Sequence, residues 1–321
     1  MRKKLLELIQ CPRCRGENFA IVDALENDLE IRQGHIQCNE CQSIFEINHG
    51  ILDLLIEPTP TILSEQKGWS VLEKMVVNTD ELMLSLPDGI GERKQDWAGQ
   101  ANNFHYMWSQ FKLAGDELVL DLGAGRCWST RYFAREGCYA IGVDILMTKY
   151  VGLLTSDIYI EQEGVYFERI CGDMNNPPIR DESLDVVFVA ATLHHSSNLS
   201  VTIDQIYRML KPGGRVIVIN EPVRGLVRDK NMDTEEKRQG INEHIYGLWE
   251  YLGPFRKKEW SYTLYPFIGL FHPIISGIHN LMTKLFPGRH FDHGMWVPLV
   301  YFQMSTWGGA LNLIAYKANK A

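Results

Sequence analysis

The chain lacks a surplus of basic residues. Its 321 residues carry 32 Lys and Arg against 40 Asp and Glu, a net charge of −8. A surface that tracks nucleic-acid phosphates shows a basic face, so the acidic balance disfavours a nucleic-acid acceptor. A long apolar run is also missing. The stretch 265–286, YPFIGLFHPIISGIHNLMTKLF, is broken by two prolines, two histidines and an asparagine. It is too interrupted to span a membrane. No targeting segment is read at the start: in MRKKLLELIQC the apolar run is short, Glu7 interrupts it, and Cys11 and Cys14 follow at once. An even cysteine count is absent too, since there are seven. Cys127, Cys138 and Cys171 are scattered, and as free thiols they suit a reducing, cytoplasmic compartment. Nothing in the sequence sets the oligomeric state.

The other four cysteines are organised as CPRC at 11–14 and CNEC at 38–41. A C-x-x-C turn aims two thiolates at one point, and two such turns supply the tetrahedral sulfur set that zinc prefers. Cys11, Cys14, Cys38 and Cys41 are thus the expected ligands of a structural Zn²⁺, with no position left open for catalysis. A module of about 55 residues builds little core, so the metal should supply its folding energy. Residues 5–56 resemble the small zinc-ribbon proteins that activate tRNA methyltransferases. Three regions are expected: a ribbon at 1–58, a helical linker and lid at 59–110, and a larger domain at 111–321 with an insertion at about 225–310. As a separate domain, the ribbon should unfold on loss of a ligand and leave the rest intact.

Pro58 and Pro60 punctuate the chain after the ribbon. Trp69, Leu72, Val76 and Leu82 then recur at helical spacing, 86–96 reads as a loop, and NFHYMWSQF at 103–111 as a helix. From Glu117 apolar runs (LVLDLG, AIGVDI, FERICGD, LDVVFVAATL, GRVIVINEP) alternate with amphipathic segments. This pattern predicts an α/β fold, a parallel sheet with helices on both faces. Ligands in such sheets bind beyond the carboxyl ends of the strands.

The turn after the first of these runs is DLGAGRCWST, 121–130. In a dinucleotide turn a third glycine lets helix and strand pack closely, and here Trp128 stands in its place. Tryptophan should push the helix from the strand and spoil a pyrophosphate cradle. Asp121, two residues before Gly123, would repel a diphosphate and suit a cationic cofactor. S-adenosylmethionine carries a sulfonium and an ammonium, and Gly123 and Gly125 would let backbone approach its methionyl part. Asp144 ends the next strand, where a carboxylate can accept the ribose hydroxyls. Asp173 ends the third, placed for the adenine amino group, with Met174 against the ring.

Residues 117–222 resemble a class I S-adenosylmethionine-dependent methyltransferase. VLDLGAGRCWS matches its first motif, Val143-Asp144 the second, Gly172-Asp173-Met174 the third, and LKPGGRVIVI the turn into the fifth strand. The resemblance implies a Rossmann-like, doubly wound, parallel-rich sheet. It places S-adenosylmethionine on Asp121, Gly123, Ala124, Gly125, Asp144, Ile145, Asp173, Met174 and Ala190.

Methyl transfer asks the protein to orient, to exclude water and, for a hydroxyl acceptor, to remove a proton. LHHSSN puts His194 and His195 after the fourth strand, with one of the two expected to face the pocket. INEP puts Glu221 at the end of the fifth. His195 and Glu221 are the candidate bases, the former with an acid limb near pH 6.5. Glu243, His244 and Tyr246 are expected on a helix facing the same mouth. His290, Asp292 and His293 read as loop chemistry rather than a second metal set. The aromatic-rich insertion suits a small or lipid-linked acceptor of the glycan or natural-product type. The rivals are an rRNA or tRNA methyltransferase and a non-catalytic module that keeps the fold as a scaffold.

Overall fold

The computed structural model describes residues 1–226, 234–265, 284–285, 297–306 and 308–319. The triad His290, Asp292 and His293, and most of the apolar stretch 265–286, lie outside the described residues.

Among the described residues the strands join one eleven-stranded sheet. In chain order they are β1 Phe19–Glu26, β2 Ile31–Cys38, β3 Ile44–Asn48, β4 Ile51–Asp53, β5 Leu118–Leu122, β6 Tyr139–Asp144, β7 Glu168–Cys171, β8 Leu184–Ala190, β9 Leu210–Val223, β10 Trp260–Tyr265 and β11 Gly309–Lys317. Their order across the sheet is β1-β2-β3-β4-β7-β6-β5-β8-β9-β11-β10. The block β7-β6-β5-β8-β9 is parallel, and β11 returns antiparallel beside β9. Parallel strands covered on both faces need continuous apolar sequence. Val186–Val189 and Val216–Ile219 supply it and are buried throughout. The chain works outward from β5 to β6 and β7, then returns to β8 on the other side of β5. That reversal opens a crevice at the strand ends.

The zinc-ribbon segment is not a separate unit. Its last strand, β4, pairs in parallel with β7, matching Leu52 to Ile170 and Asp53 to Cys171. Ile51 packs in the same core cluster as Phe104, Phe133 and Phe188, while Leu5, Ile36 and Ile47 share the other cluster with Leu120 and Ile141. Ionic contacts cross the seam as well. The buried Glu30 carboxylate pairs with the buried Arg169 guanidinium, and Arg32 reaches Asp157 at 3.1 Å. Burial pushes the Glu30 carboxyl up, but Arg169 and the amino terminus outweigh that and hold it at about 2. The 55-residue module therefore borrows its core and its buried charge balance from the larger sheet.

Between these parts lie three helices, α1 Pro60–Met75, α2 Asp80–Ser85 and α3 Arg93–Gln110. Thr59 caps α1 by accepting from the Ile62 N–H at 3.3 Å, with Pro60 preset at the first helical position. Helical spacing from Trp69 to Leu82 suggested one continuous helix. Val76-Val77-Asn78 break it, and Thr79 caps α2 anew. The helix expected at 103–111 begins a decade earlier, at Arg93. Next come α4 Trp128–Arg135, α5 Ser156–Glu163, α6 Leu199–Met209, α7 Glu235–Arg238 and α8 Leu248–Lys257. Glu243, His244 and Tyr246 precede α8 in irregular chain rather than on a helix. No helix among the described residues is long and apolar enough to cross a membrane.

Candidate active site

The turn after β5 is set by one steric demand. Gly123 has φ +76°, and a Cβ there would fall 2.0 Å from Thr192 Cγ2. Only glycine lets the ends of β5 and β8 approach this closely. Gly125 then donates its N–H to Asp144 Oδ2 at 2.8 Å, and Leu146 N–H donates to Oδ1 at 2.9 Å. Burial pushes the Asp144 carboxyl up to about 6.

Trp128 does not push the helix away. It is the first residue of α4, and its ring turns toward α3, edge-on to Phe104 at 4.8 Å. The close approach of helix and strand occurs instead at Gly142 on β6. A Cβ there would meet Ala124, Thr130 and Cys127 at 3.2–3.4 Å. The glycine that permits packing lies on the neighbouring strand.

A cavity of about 440 Å³ opens at these strand ends. Of the expected cofactor residues, Gly123, Ala124, Gly125, Asp144, Ile145, Met174 and Ala190 line it. Two do not. Asp121 is buried beneath the turn and accepts the hydroxyls of Ser129 and Thr130, both at 2.6 Å. Burial pushes its carboxyl up to about 6 against those two bonds. It anchors the first turn of α4 to β5 and does not face a cofactor directly. Asp173 folds back on its own loop, accepting from the Asn175 backbone N–H at 2.8 Å and from Asn175 Nδ2 at 2.9 Å.

The two candidate bases part company. Glu221 is fully buried and outside the cavity lining. It accepts the backbone N–H groups of Thr192, Leu193 and His194 at 2.6, 2.8 and 3.2 Å, and His194 Nδ1–H at 2.9 Å. Every lone-pair direction is spent on the turn 192–195, so Glu221 positions that turn and does not reach a substrate. His194 and His195 both line the cavity, although one alone was expected to. His195 Nδ1 lies 2.8 Å from the Asn242 carbonyl oxygen, an acceptor only, so the ring proton sits on Nδ1 and Nε2 keeps a lone pair. Burial, then the neighbouring His194, lower His195 to about 4. The acid limb expected near pH 6.5 therefore moves down. The unfolded chain takes up this proton first, so the stability His195 contributes is complete above about pH 6.5 and is lost as pH falls toward 4. An NMR titration of the His195 ring should show it neutral down to about pH 5. A midpoint near 6.5 would contradict the buried geometry.

The lining also holds residues that sequence reasoning missed: Glu65 and Trp69 on α1, Trp97 and Gln100 on α3, and Arg126, Glu236 and Asn220. Asn220, at φ +61°, accepts from Asn103 Nδ2 at 2.6 Å, which ties α3 to the end of β9. The Gln66 side chain donates to the Ile145 carbonyl at 2.7 Å and seats α1 over the cavity. Glu65 and Trp69 stand four apart, the spacing of one helix face, but nothing local says what that face covers.

The four cysteine sulfurs lie within 4.8 Å of one another, with Cys11–Cys41 and Cys14–Cys38 each at 3.6 Å. Zinc–sulfur bonds of ~2.3 Å at tetrahedral angles separate sulfurs by roughly 3.8 Å, so the cluster fits the metal.

The two parts of the chain match two families. Residues 120–218 match the family described as Methyltransferase domain, and residues 2–50 match Trm112p-like protein. The chain thus joins a Trm112p-like domain to a domain with the fold of class I S-adenosylmethionine-dependent methyltransferases. Among individual relatives, the demethylmenaquinone methyltransferase of Streptomyces avermitilis is 29% identical over 100 residues, covering 31% of this chain and 40% of that protein. Its counterpart from Tropheryma whipplei is 33% identical over 105 residues, 33% of this chain and 41% of that protein. The chain thus spans about two fifths of the length of these curated relatives. The solved phosphoethanolamine N-methyltransferase 2 of Haemonchus contortus, in complex with phosphomonomethylethanolamine and S-adenosylhomocysteine, superposes with a TM-score of 0.51 at 16% identity, over 76% of this chain and 59% of that one. That likeness concerns the fold alone.

Proposed function

We propose that the chain transfers the methyl group of S-adenosylmethionine to a small-molecule or lipid-linked acceptor of the glycan or natural-product type. The observation that carries this reading is the meeting of the Gly123–Gly125 turn with the Asp144 carboxylate at the floor of one cavity. An acid there accepts ribose hydroxyls, and the further acids Glu65, Glu236 and Glu243 in the lining suit a nucleoside that carries positive charge. Asp144 would accept the ribose hydroxyls, Ile145 and Met174 would flank the adenine, and the Gly123–Gly125 backbone would face the methionyl part. When bound, S-adenosylmethionine supplies the electrophilic methyl group. The chain's own residues orient the acceptor and exclude water, with α1 and α3 as roof. Cys11, Cys14, Cys38 and Cys41 would hold a zinc ion that shapes the ribbon and takes no part in the chemistry.

The relatives include methyltransferases named for demethylmenaquinone and for malonyl-[acyl-carrier protein], which supports a small or carrier-bound acceptor. The Trm112p-like domain favours a second reading, an rRNA or tRNA acceptor. The carboxyls of Glu65, Asp144, Glu236 and Glu243 around the cavity oppose it. Nucleic acid that co-purifies with the chain would shift the choice.

Calorimetry tests the primary reading. S-adenosylmethionine should bind at micromolar strength, and Asp144→Ala should weaken it by about 1.5–3 kcal/mol through loss of a charge-assisted bond. Tight binding of NADH with none of S-adenosylmethionine would overturn it.

A further inference from the structure

Among the described residues, Glu65 is a buried carboxyl with no partner for one of its oxygens. Its side chain is 7% exposed, and Oε1 makes no hydrogen bond. Each group that faces it fails to neutralise it. Asp144 at the end of β6 and Asp173 after β7 are themselves acids. His195 Nδ1 lies 3.6 Å away, but its proton is committed to the Asn242 carbonyl. The Asn242 backbone offers it a neutral hydrogen bond only. Among the described residues the other ionisable groups lining the cavity are Glu236, Glu243, His194 and Arg126; His194 Nδ1 is spent on Glu221, and Arg126 stands over the Trp97 ring at 5.6 Å. A lone ionised carboxylate in such surroundings is costly, and it keeps its proton until a cation arrives. Burial first, and Asp144 second, raise Glu65 to about 8.

Resting on the methyltransferase reading, we infer that Glu65 senses the charge of the bound nucleoside, as a neutral acid when the cavity is empty or holds the thioether product, and as a carboxylate when it holds the sulfonium substrate. A positive charge within ~4–6 Å lowers a carboxyl by about 1–3 pH units, enough to expel the proton near neutral pH. Methyl transfer then removes the reason for the charge. The acceptor heteroatom bonds to the methyl carbon, and the carbon–sulfur bond breaks with its electron pair left on sulfur. The sulfonium charge disappears as the acceptor sheds its proton. Glu65, again a carboxylate without a cation, takes up that proton. One proton leaves for solvent when the substrate binds and one is recovered at transfer. The acceptor's proton thus need not wait for Glu221, which is sealed in the turn beneath.

Calorimetry on the full, zinc-loaded chain at pH 7.5, in two buffers of different protonation heat, tests this with S-adenosylmethionine and S-adenosylhomocysteine as probes. The sulfonium should release roughly half a proton or more per chain and the thioether almost none. Affinity for the sulfonium should rise with pH up to about 8, while that for the thioether stays flat. In Glu65→Gln the release should vanish, with sulfonium affinity falling about tenfold to a hundredfold and thioether affinity changing less than about threefold. Retained thioether binding certifies the fold of the variant. Glu65→Asp should keep part of the release. Asp144 is also poised near neutrality, so release that persists in Glu65→Gln would assign the proton to Asp144 and overturn the inference. Equal release for both probes, or equal loss of affinity for both, would overturn it too. If the wild-type chain binds neither probe, the methyltransferase reading itself has failed.

Discussion

Replacing Cys38 with serine should cost the protein its cofactor affinity along with its ribbon. A structural zinc contributes ~10–16 kcal/mol to the folding of small ribbons, and a missing ligand forfeits much of that. In a two-domain arrangement the damage would stop at the linker, as the motif positions alone suggest. Here β4 is a strand of the cofactor sheet. Without it, β7 keeps β6 but loses the parallel partner on its other side, and the Cys171 carbonyl loses the Leu54 N–H at 2.9 Å. Arg169 also loses Glu30 and keeps only Asp157, at 3.6 Å, as an ionic partner for a buried cation. Gly172 and Met174, which line the cavity, follow directly on this edge. The unfolding midpoint should fall by about 10 °C or more, and S-adenosylmethionine affinity at least about tenfold. Chelation of the wild-type metal should do the same. Calorimetry before and after chelation measures the coupling. Unchanged affinity in the stripped protein would mean that β7 stands without the ribbon.

Glu221→Gln should behave as a folding mutation and not as the loss of a base. The native carboxylate accepts four N–H groups, three of them backbone. Glutamine keeps one acceptor oxygen and turns an NH₂ group toward donors. Either the N–H groups of Thr192 and Leu193 or the two of His194 would lack a partner, at about 1–3 kcal/mol each. A total near ~3–5 kcal/mol is expected, in line with breaking a buried ionic contact. Cofactor affinity should fall with it, because Thr192 packs on Gly123 and the turn carries both histidines into the cavity. A true base would leave stability and affinity untouched and lower turnover by roughly 10²–10⁴. Thermal melts with and without S-adenosylhomocysteine separate the two. A fully stable, tightly binding, slow variant would restore Glu221 to the chemistry.

What could be read from the sequence was local. Paired C-x-x-C turns, a glycine turn after an apolar strand, and apolar runs alternating with amphipathic segments each report on a few neighbouring residues. Those residues fixed the class of fold, the four cysteines of the cluster and seven of the nine residues named for the cofactor as lining of one cavity. The misses share one cause. Successive strand residues point to opposite faces, so Glu221 could open on the pocket or be sealed behind it. The backbone N–H groups of a turn some thirty residues earlier decided the matter. Asp121 was claimed in the same way by two hydroxyls of α4. The close approach normally made by a third glycine passed to Gly142, on the neighbouring strand one residue before the second motif. Glu65 became part of the site only because α1 folds over the strand ends, and nothing in PTILSEQKGWSVLEKM announces what lies beneath it. The fusion of the ribbon to the sheet rested on pairing β4 with β7, more than a hundred residues apart. Local pattern sets which elements form. Which buried charge finds a partner, and which is left waiting for one, is decided by the elements that pack around it.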